Sequence, residues 1–219
     1  MTTFPGAPRL IKGGIVLIDP ATAAVQRIVV LQYNPDTLNR TLQPQMMSGE
    51  AGDRLEALRL KGPPVETIKL EAEIDATDQL EFPGQNPNVV QLGIYPQLAA
   101  LETIIYPSSS VIQSNQRLAQ VGTLEIAPAE APLTLFIWSK NRILPVRLTD
   151  FSITEEAFDP ALNPLRAKVS LGLRVLTSND LGPNHRGASL FMSYHQQKER
   201  LASLNQGGTL ADLGIRGIP

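Results

Sequence analysis

Two histidines and two runs of carboxylates are the side chains of this 219-residue sequence whose types and spacing could do chemistry. Glu71, Glu73, Asp75 and Asp78 alternate along one segment, which on a strand sets same-face side chains about 7 Å apart. That spacing suits paired carboxylates, and it equally suits an ordinary charged strand face, the plainer reading. Glu155, Glu156 and Asp159 form a second acidic group, on the shoulder of a turn. His185 lies in "GPNHRG" and His195 in a helical run; a serine nucleophile would need one of them beside it, and no Gly-x-Ser-x-Gly stretch occurs. There is no His-x-x-x-His pair and no cysteine, so zinc-type ligand sets and thiolate chemistry have no candidates. Neither "NQGG" nor "LKGPP" continues into the Gly-Lys-Ser/Thr of a phosphate loop. The expectation is a protein that is not an enzyme and carries neither cofactor nor metal.

Composition points the same way. A net charge of -2 excludes a whole-chain electrostatic case for nucleic acid or an anionic membrane. The basic residues Arg54, Arg59, Lys61, Arg166, Lys168 and Arg174 are scattered, without interleaved aromatics. A hydrophobic fraction of 42% is enough for a real core. No apolar run approaches the roughly 20 residues of a membrane helix, and "MTTFPGAPRLIKGGIVL" lacks the pattern of a leader. Folding in a reducing cytoplasm, with no direct membrane anchor, is expected.

The elements that would position these residues are mostly strands. Residues 1–9 read as an arm, with Pro5, Gly6 and Pro8 opposing regular structure. Two β-rich runs, "LIKGGIVLID" and "VQRIVVLQY", flank the turn "DPATAA". Asn34-Pro35-Asp36 predicts a second reversal before "TLNRTL". Residues 43–64, Gly- and Pro-rich at the ends and charged in the middle, read as a long functional loop. In "ETIKLEAEID", Ile68, Leu70, Ala72 and Ile74 face one side while Thr67, Lys69, Glu71, Glu73 and Asp75 face the other. In "LRAKVSLGLRV", Leu165, Ala167, Val169, Leu171, Leu173 and Val175 point inward and Arg166, Lys168, Ser170, Gly172 and Arg174 outward. One strand is acidic outside and the other basic; they are cross-strand neighbours or meet across subunits. Apolar parity switches from Leu144, Val146 and Leu148 to Phe151 and Ile153, which predicts a β-bulge near Thr149-Asp150. Asp159-Pro160 and Asn163-Pro164 predict a tight hairpin. Two helices are expected. One, "YPQLAALETIIYP", starts on Pro96, stops at Pro107 and buries Leu98, Leu101, Ile104 and Ile105. The other, "SLFMSYHQQKERLASL", is capped by Ser189 with Leu190, Tyr194, Leu201 and Leu204 in a stripe. The last residues, 205–219, hold too much glycine for a stable element, yet carry Leu210, Leu213, Ile215 and Ile218. A mainly β protein follows, with one inserted helix and a C-terminal helical extension, divided as arm (1–9), β domain (10–178) and helix with flexible tail (179–219).

Taken in order, "LQYNPDTLNRTL", "GDRLEALRLKGPPVETIKLEAEIDATDQLE", "GIYPQLAALETIIYP" and "FDPALNPLRAKVSLGLRV" resemble one family over residues 10–178. It is the tube-type protein at the tube–baseplate junction of bacterial contractile injection systems, which are phage-tail-like particles. The resemblance implies a tail-tube-like β-barrel or sandwich. It also implies a homo-hexameric ring between the threefold spike (hub) protein and the sixfold inner tube protein, in contact with other baseplate subunits and templating tube assembly in the bacterial cytoplasm. A tube polymer subunit or tube terminator is the alternative within that assembly. A ligand-binding or hydrolytic β-barrel is the alternative outside it. Many members continue into a LysM module; here a helix and the tail stand instead, which puts glycan recognition in doubt. Ring assembly would join sheet edges between neighbours, with Asn34, Pro35, Arg54, Glu56, Arg59, Arg166, Lys168 and Arg174 as candidate interface residues. Leu210, Leu213 and Ile215 would anchor the tail on a neighbouring baseplate protein.

Overall fold

A computed structural model describes residues 10–46, 59–122 and 131–218. The chain is mainly β. Seven strands, β1 (Gly14–Ile18), β2 (Val25–Val30), β3 (Asn39–Met46), β4 (Leu60–Asp75), β5 (Leu133–Ser139), β6 (Arg142–Phe158) and β7 (Pro164–Val175), form one sheet in the order β2-β1-β5-β6-β7-β4-β3. Every pairing is antiparallel. Val29 near one end of the sheet shares a core with Ile68, Leu70 and Ile74 near the other, so the sheet folds back around one core.

The alternation seen in the sequence is the alternation of burial. On β7, Ala167, Val169, Leu171, Leu173 and Val175 are buried; on β4, Ile68, Leu70, Ala72 and Ile74 are. The acidic and basic outer rows are neighbours within the chain, with Glu73 opposite Lys168 and Asp75 opposite Arg166. The β6–β7 ladder skips a residue between Leu148 and Asp150, the bulge that the parity switch requires. The hairpin between them closes on Asp159, whose carboxylate accepts from the backbone N–H of Ala161 and Asn163 and from the Asn163 amide. Those bonds hold the Asp159 carboxyl below its ordinary range.

Several expectations need correction. Asn34-Pro35 does not reverse the chain. Antiparallel neighbours alternate in direction, so β2 and β3, at opposite ends of the order, run the same way, and residues 31–38 carry the chain from one sheet end to the other. The stretch 43–64 is not one loop: Gln43 pairs with Val65, Gln45 with Gly62 and Met46 with Leu60. Residues 47–58 lie outside the described residues. Instead of one inserted helix, four separate β4 from β5 among the described residues: α1 (Thr77–Leu80), α2 (Pro87–Leu92), α3 (Tyr95–Glu102) and α4 (Ser109–Gln120). The expected α3 is present, burying Leu98 and Leu101, but it ends before Ile105, which is half exposed. Helix α4 starts on Ser108, which accepts from the Val111 N–H, a cap the sequence displays directly after Pro107.

The C-terminal helix α5 (Arg186–Ser203) begins earlier than expected. His185, not Ser189, is its cap: the ring Nδ1 accepts from the Gly187 N–H at 3.0 Å. Its buried face is Ala188, Phe191 and Tyr194, whereas Leu201 and Leu204 are exposed. The core therefore holds only the first half of the helix. The tail is not without structure either: Leu210–Leu213 form a 3-10 turn.

Candidate assembly surface

The sheet ends in two edge strands, β2 and β3. Among the described residues, β2 has a ladder partner only in β1, and β3 only in β4. An unpaired edge presents free N–H and C=O groups to any incoming strand. Both ends also expose apolar side chains: Val25, Ile28 and Val30 on β2, and Leu42, Met46 and Leu60 on or opposite β3. Leu10 and Ile11 add to the β2 patch, each 74% exposed.

Between the two ends the chain crosses a seam. Gln32 spans it: its Nε2 donates to the Asp75 carbonyl at 2.7 Å and its Oε1 accepts from the Asp75 N–H at 2.9 Å. A side-chain amide thus supplies the donor and acceptor that a strand's own peptide group would give. The Asn34 amide pins the other flank, accepting from the Gly13 N–H and donating to the Ile11 carbonyl. Beside the seam lies a half-open cavity of about 520 Å³, walled by β2, the end of β4 and α3. Its lining includes Ile28, Val30, Leu31, Ile74 and Leu101, together with the charged Lys12, Glu73 and Asp78. Burial, then the negative charge of Asp78 facing it, raises the Tyr33 phenol above its ordinary value.

A charged cluster ties α5 to the β3 end. Glu66, on the inward face of β4, has a side chain only 4% exposed. Its Oε1 accepts from Arg40 of β3 at 2.6 and 2.9 Å and from the Tyr194 hydroxyl at 3.3 Å. Its Oε2 accepts from Lys198 at 2.8 Å, and the Lys198 ammonium also sits 4.2 Å over the Tyr194 ring. Burial alone would raise the Glu66 carboxyl; hydrogen bonds from Lys198 and Arg40, and then their charges, reverse this and hold it below the ordinary value. Glu66 was not among the sequence candidates. Its signal was parity: it shares the face of Ile68 and Leu70, where an unpaired carboxylate is costly.

The sequence candidates fall into three groups. Asn34 and Pro35 are half-buried parts of the seam. Arg166, Lys168 and Arg174 have partners in their own chain: Arg166 and Lys168 both meet Glu156, at 3.1 and 3.6 Å, and Arg174 meets Asp180 at 2.6 Å. Leu210, Leu213 and Ile215 are exposed on the tail, and Arg59 is exposed just before β4. Arg54 and Glu56 lie outside the described residues. His195 meets Glu199 one turn away at 3.3 Å, on an exposed helix face. Among the described residues no three His, Asp or Glu side chains converge as a metal site would need, and no helix is long and apolar enough to cross a membrane.

No family model and no curated protein matches the chain. Nine chains of solved structures do. One of them belongs to the tail of an empty GTA particle with C6 symmetry; it is 10% identical, with a TM-score of 0.28, and the match covers 75% of this chain and 90% of that one. A likeness of that degree decides neither fold nor function.

Proposed function

We propose that this protein is a structural ring subunit of a contractile, phage-tail-like particle. Copies close into a hexamer that joins the spike hub to the inner tube and starts tube growth, in the cytoplasm where such particles assemble. The observation that carries this reading is the pair of unpaired sheet ends, β2 and β3, both bearing exposed apolar side chains. A chain whose sheet is completed by its neighbours needs open edges with matched surfaces, and a self-contained barrel would cover them. The family resemblance of the sequence supports the ring and its place between hub and tube. The work is geometric: preformed surfaces register one layer on the next, and no bond is made or broken.

Mass photometry and negative-stain imaging of the purified chain test the proposal. The expected result is a ring with six times the mass of the 23.8 kDa chain, alone or on addition of the tube protein that it nucleates. A tube polymer subunit would stack without limit instead of stopping at one or two layers. A monomer under every condition, with or without those partners, overturns the ring.

A further inference from the structure

The tail has a structure of its own but no hydrogen-bonded partner elsewhere among the described residues. Every residue from 201 to 218 is exposed, and the hydrogen bonds of 206–218 stay within the segment. Yet its single turn is stopped at both ends. Asp212 accepts from the backbone N–H and hydroxyl of Thr209, which holds its carboxyl below the ordinary range. Gly214, at φ 72°, closes the other end, with the Ile215 N–H donating to the Leu210 carbonyl and the Gly214 N–H to the Ala211 carbonyl. The turn is thus organised before any partner arrives, which lowers the ordering cost of binding. It holds out Leu213, 74% exposed, and beside it Ile215, 43% exposed. A surface of that kind needs a receiving groove.

The seam cavity has the complementary character. It is lined chiefly by apolar side chains, and its volume is in the range of sites that take small apolar groups. Gln97, on its α3 wall, has a buried Oε1 with no hydrogen-bond partner among the described residues. The charged residues of its lining are Glu73, Asp78 and Lys12, which leaves one net negative charge for a cation to meet. Arg216 is the tail's one cation, and the Asp212 carboxylate is already committed within the turn.

We propose that the turn Thr209–Ile218 of one copy docks in the seam cavity of a second copy, with Leu213 and Ile215 inside and Arg216 against Glu73 and Asp78. The linker Asn205–Gly208 has two glycines and spans up to about 14 Å, so the tail can leave α5 and reach a neighbour. This inference rests on the reading that copies of the chain associate, and it adds which surfaces meet.

The absence of cysteine makes the test clean. One full-length variant carries Ala100→Cys in the cavity wall, and a second carries Leu213→Cys in the tail; the two are mixed and oxidised. A third, Leu118→Cys on the exposed face of α4, replaces the first as control. The expected outcome is a disulfide-linked pair of A100C with L213C, formed at least about tenfold faster than with L118C, because docking raises the local concentration of the two thiols. Adding Arg216→Glu to the tail variant should slow that crosslink. Equal rates at positions 100 and 118 overturn the proposal. So does a monomeric disulfide in a chain carrying both A100C and L213C, which would place the tail in its own cavity. If rings form but this crosslink does not, the ring stands and the tail assignment falls; if no association is seen at all, the ring itself is at fault.

Discussion

At the scale of single residues, Glu66 is the most consequential side chain. It is a buried carboxylate with two cationic partners from different elements, Arg40 on β3 and Lys198 on α5. Removing one member of a buried ion cluster strands the rest, at a cost of about 3 kcal/mol or more. Glu66→Ala is expected to lower stability by that order in urea titration, with α5 losing hydrogen-exchange protection first. The pH dependence has a definite sign. Because the folded state holds the Glu66 carboxyl below its ordinary value of 4.5, its contribution is complete above that pH. It is lost as pH falls further, through the folded-state titration. Melting temperatures of the wild-type chain should therefore drop more as pH falls below 4.5 than those of Glu66→Gln. Equal slopes would mean the carboxylate is not the acid-sensitive group. Gln32 acts on a smaller scale: Gln32→Ala leaves the Asp75 N–H and C=O unpaired at the seam, costing about 1–3 kcal/mol.

At the scale of elements, strands were more legible than helices. Alternation over β4 and β7, the bulge in β6 and the Asp159 hairpin are local patterns, and each is present where the residues place it. Helix α4 escaped although "SSVIQSNQRLAQ" is amphipathic and its Ser108 cap was in view; it buries no residue in the core. The cap of α5 escaped because histidine is rarely read as a capping residue. Between α2 and α3, Gly93 adopts φ 57° with ψ -137° and lies against the Pro164 carbonyl of the β6–β7 hairpin. A side chain there meets both backbone strain and a collision. Gly93→Ala should destabilise the fold by about 2 kcal/mol or more, while Gly122→Ala, also at positive φ but in open space, should cost less. If thermal melts show the two variants equally affected, close packing of α2 and α3 onto the hairpin is not what demands glycine.

At the scale of the whole molecule, the exposed sheet ends make the case for assembly. Ile28→Lys together with Val30→Lys should abolish self-association while leaving the melting temperature of the monomer nearly unchanged, since both side chains already face solvent. Sedimentation at several concentrations reads the first effect and a thermal melt the second. The outer charges are a finer test. Arg166 and Lys168 share Glu156 on a partly exposed surface, where such pairs contribute about 1 kcal/mol or less. Charge reversal at either residue is therefore expected to lower ring assembly more than monomer stability. A variant that unfolds yet still assembles when folded would make these residues purely internal.

What the sequence by itself determined is whatever depends on near neighbours: the mainly β character, the inward and outward rows, the bulge and the turn chemistry. Only the tertiary structure decided that Asn34-Pro35 crosses a seam instead of turning a hairpin, that Glu66 is paired and that the tail is exposed throughout residues 205–218. The physical reason is separation along the chain. Gln32 meets Asp75 across 43 positions and Glu66 meets Lys198 across 132, and no local periodicity encodes which distant groups a folded-back sheet will bring together.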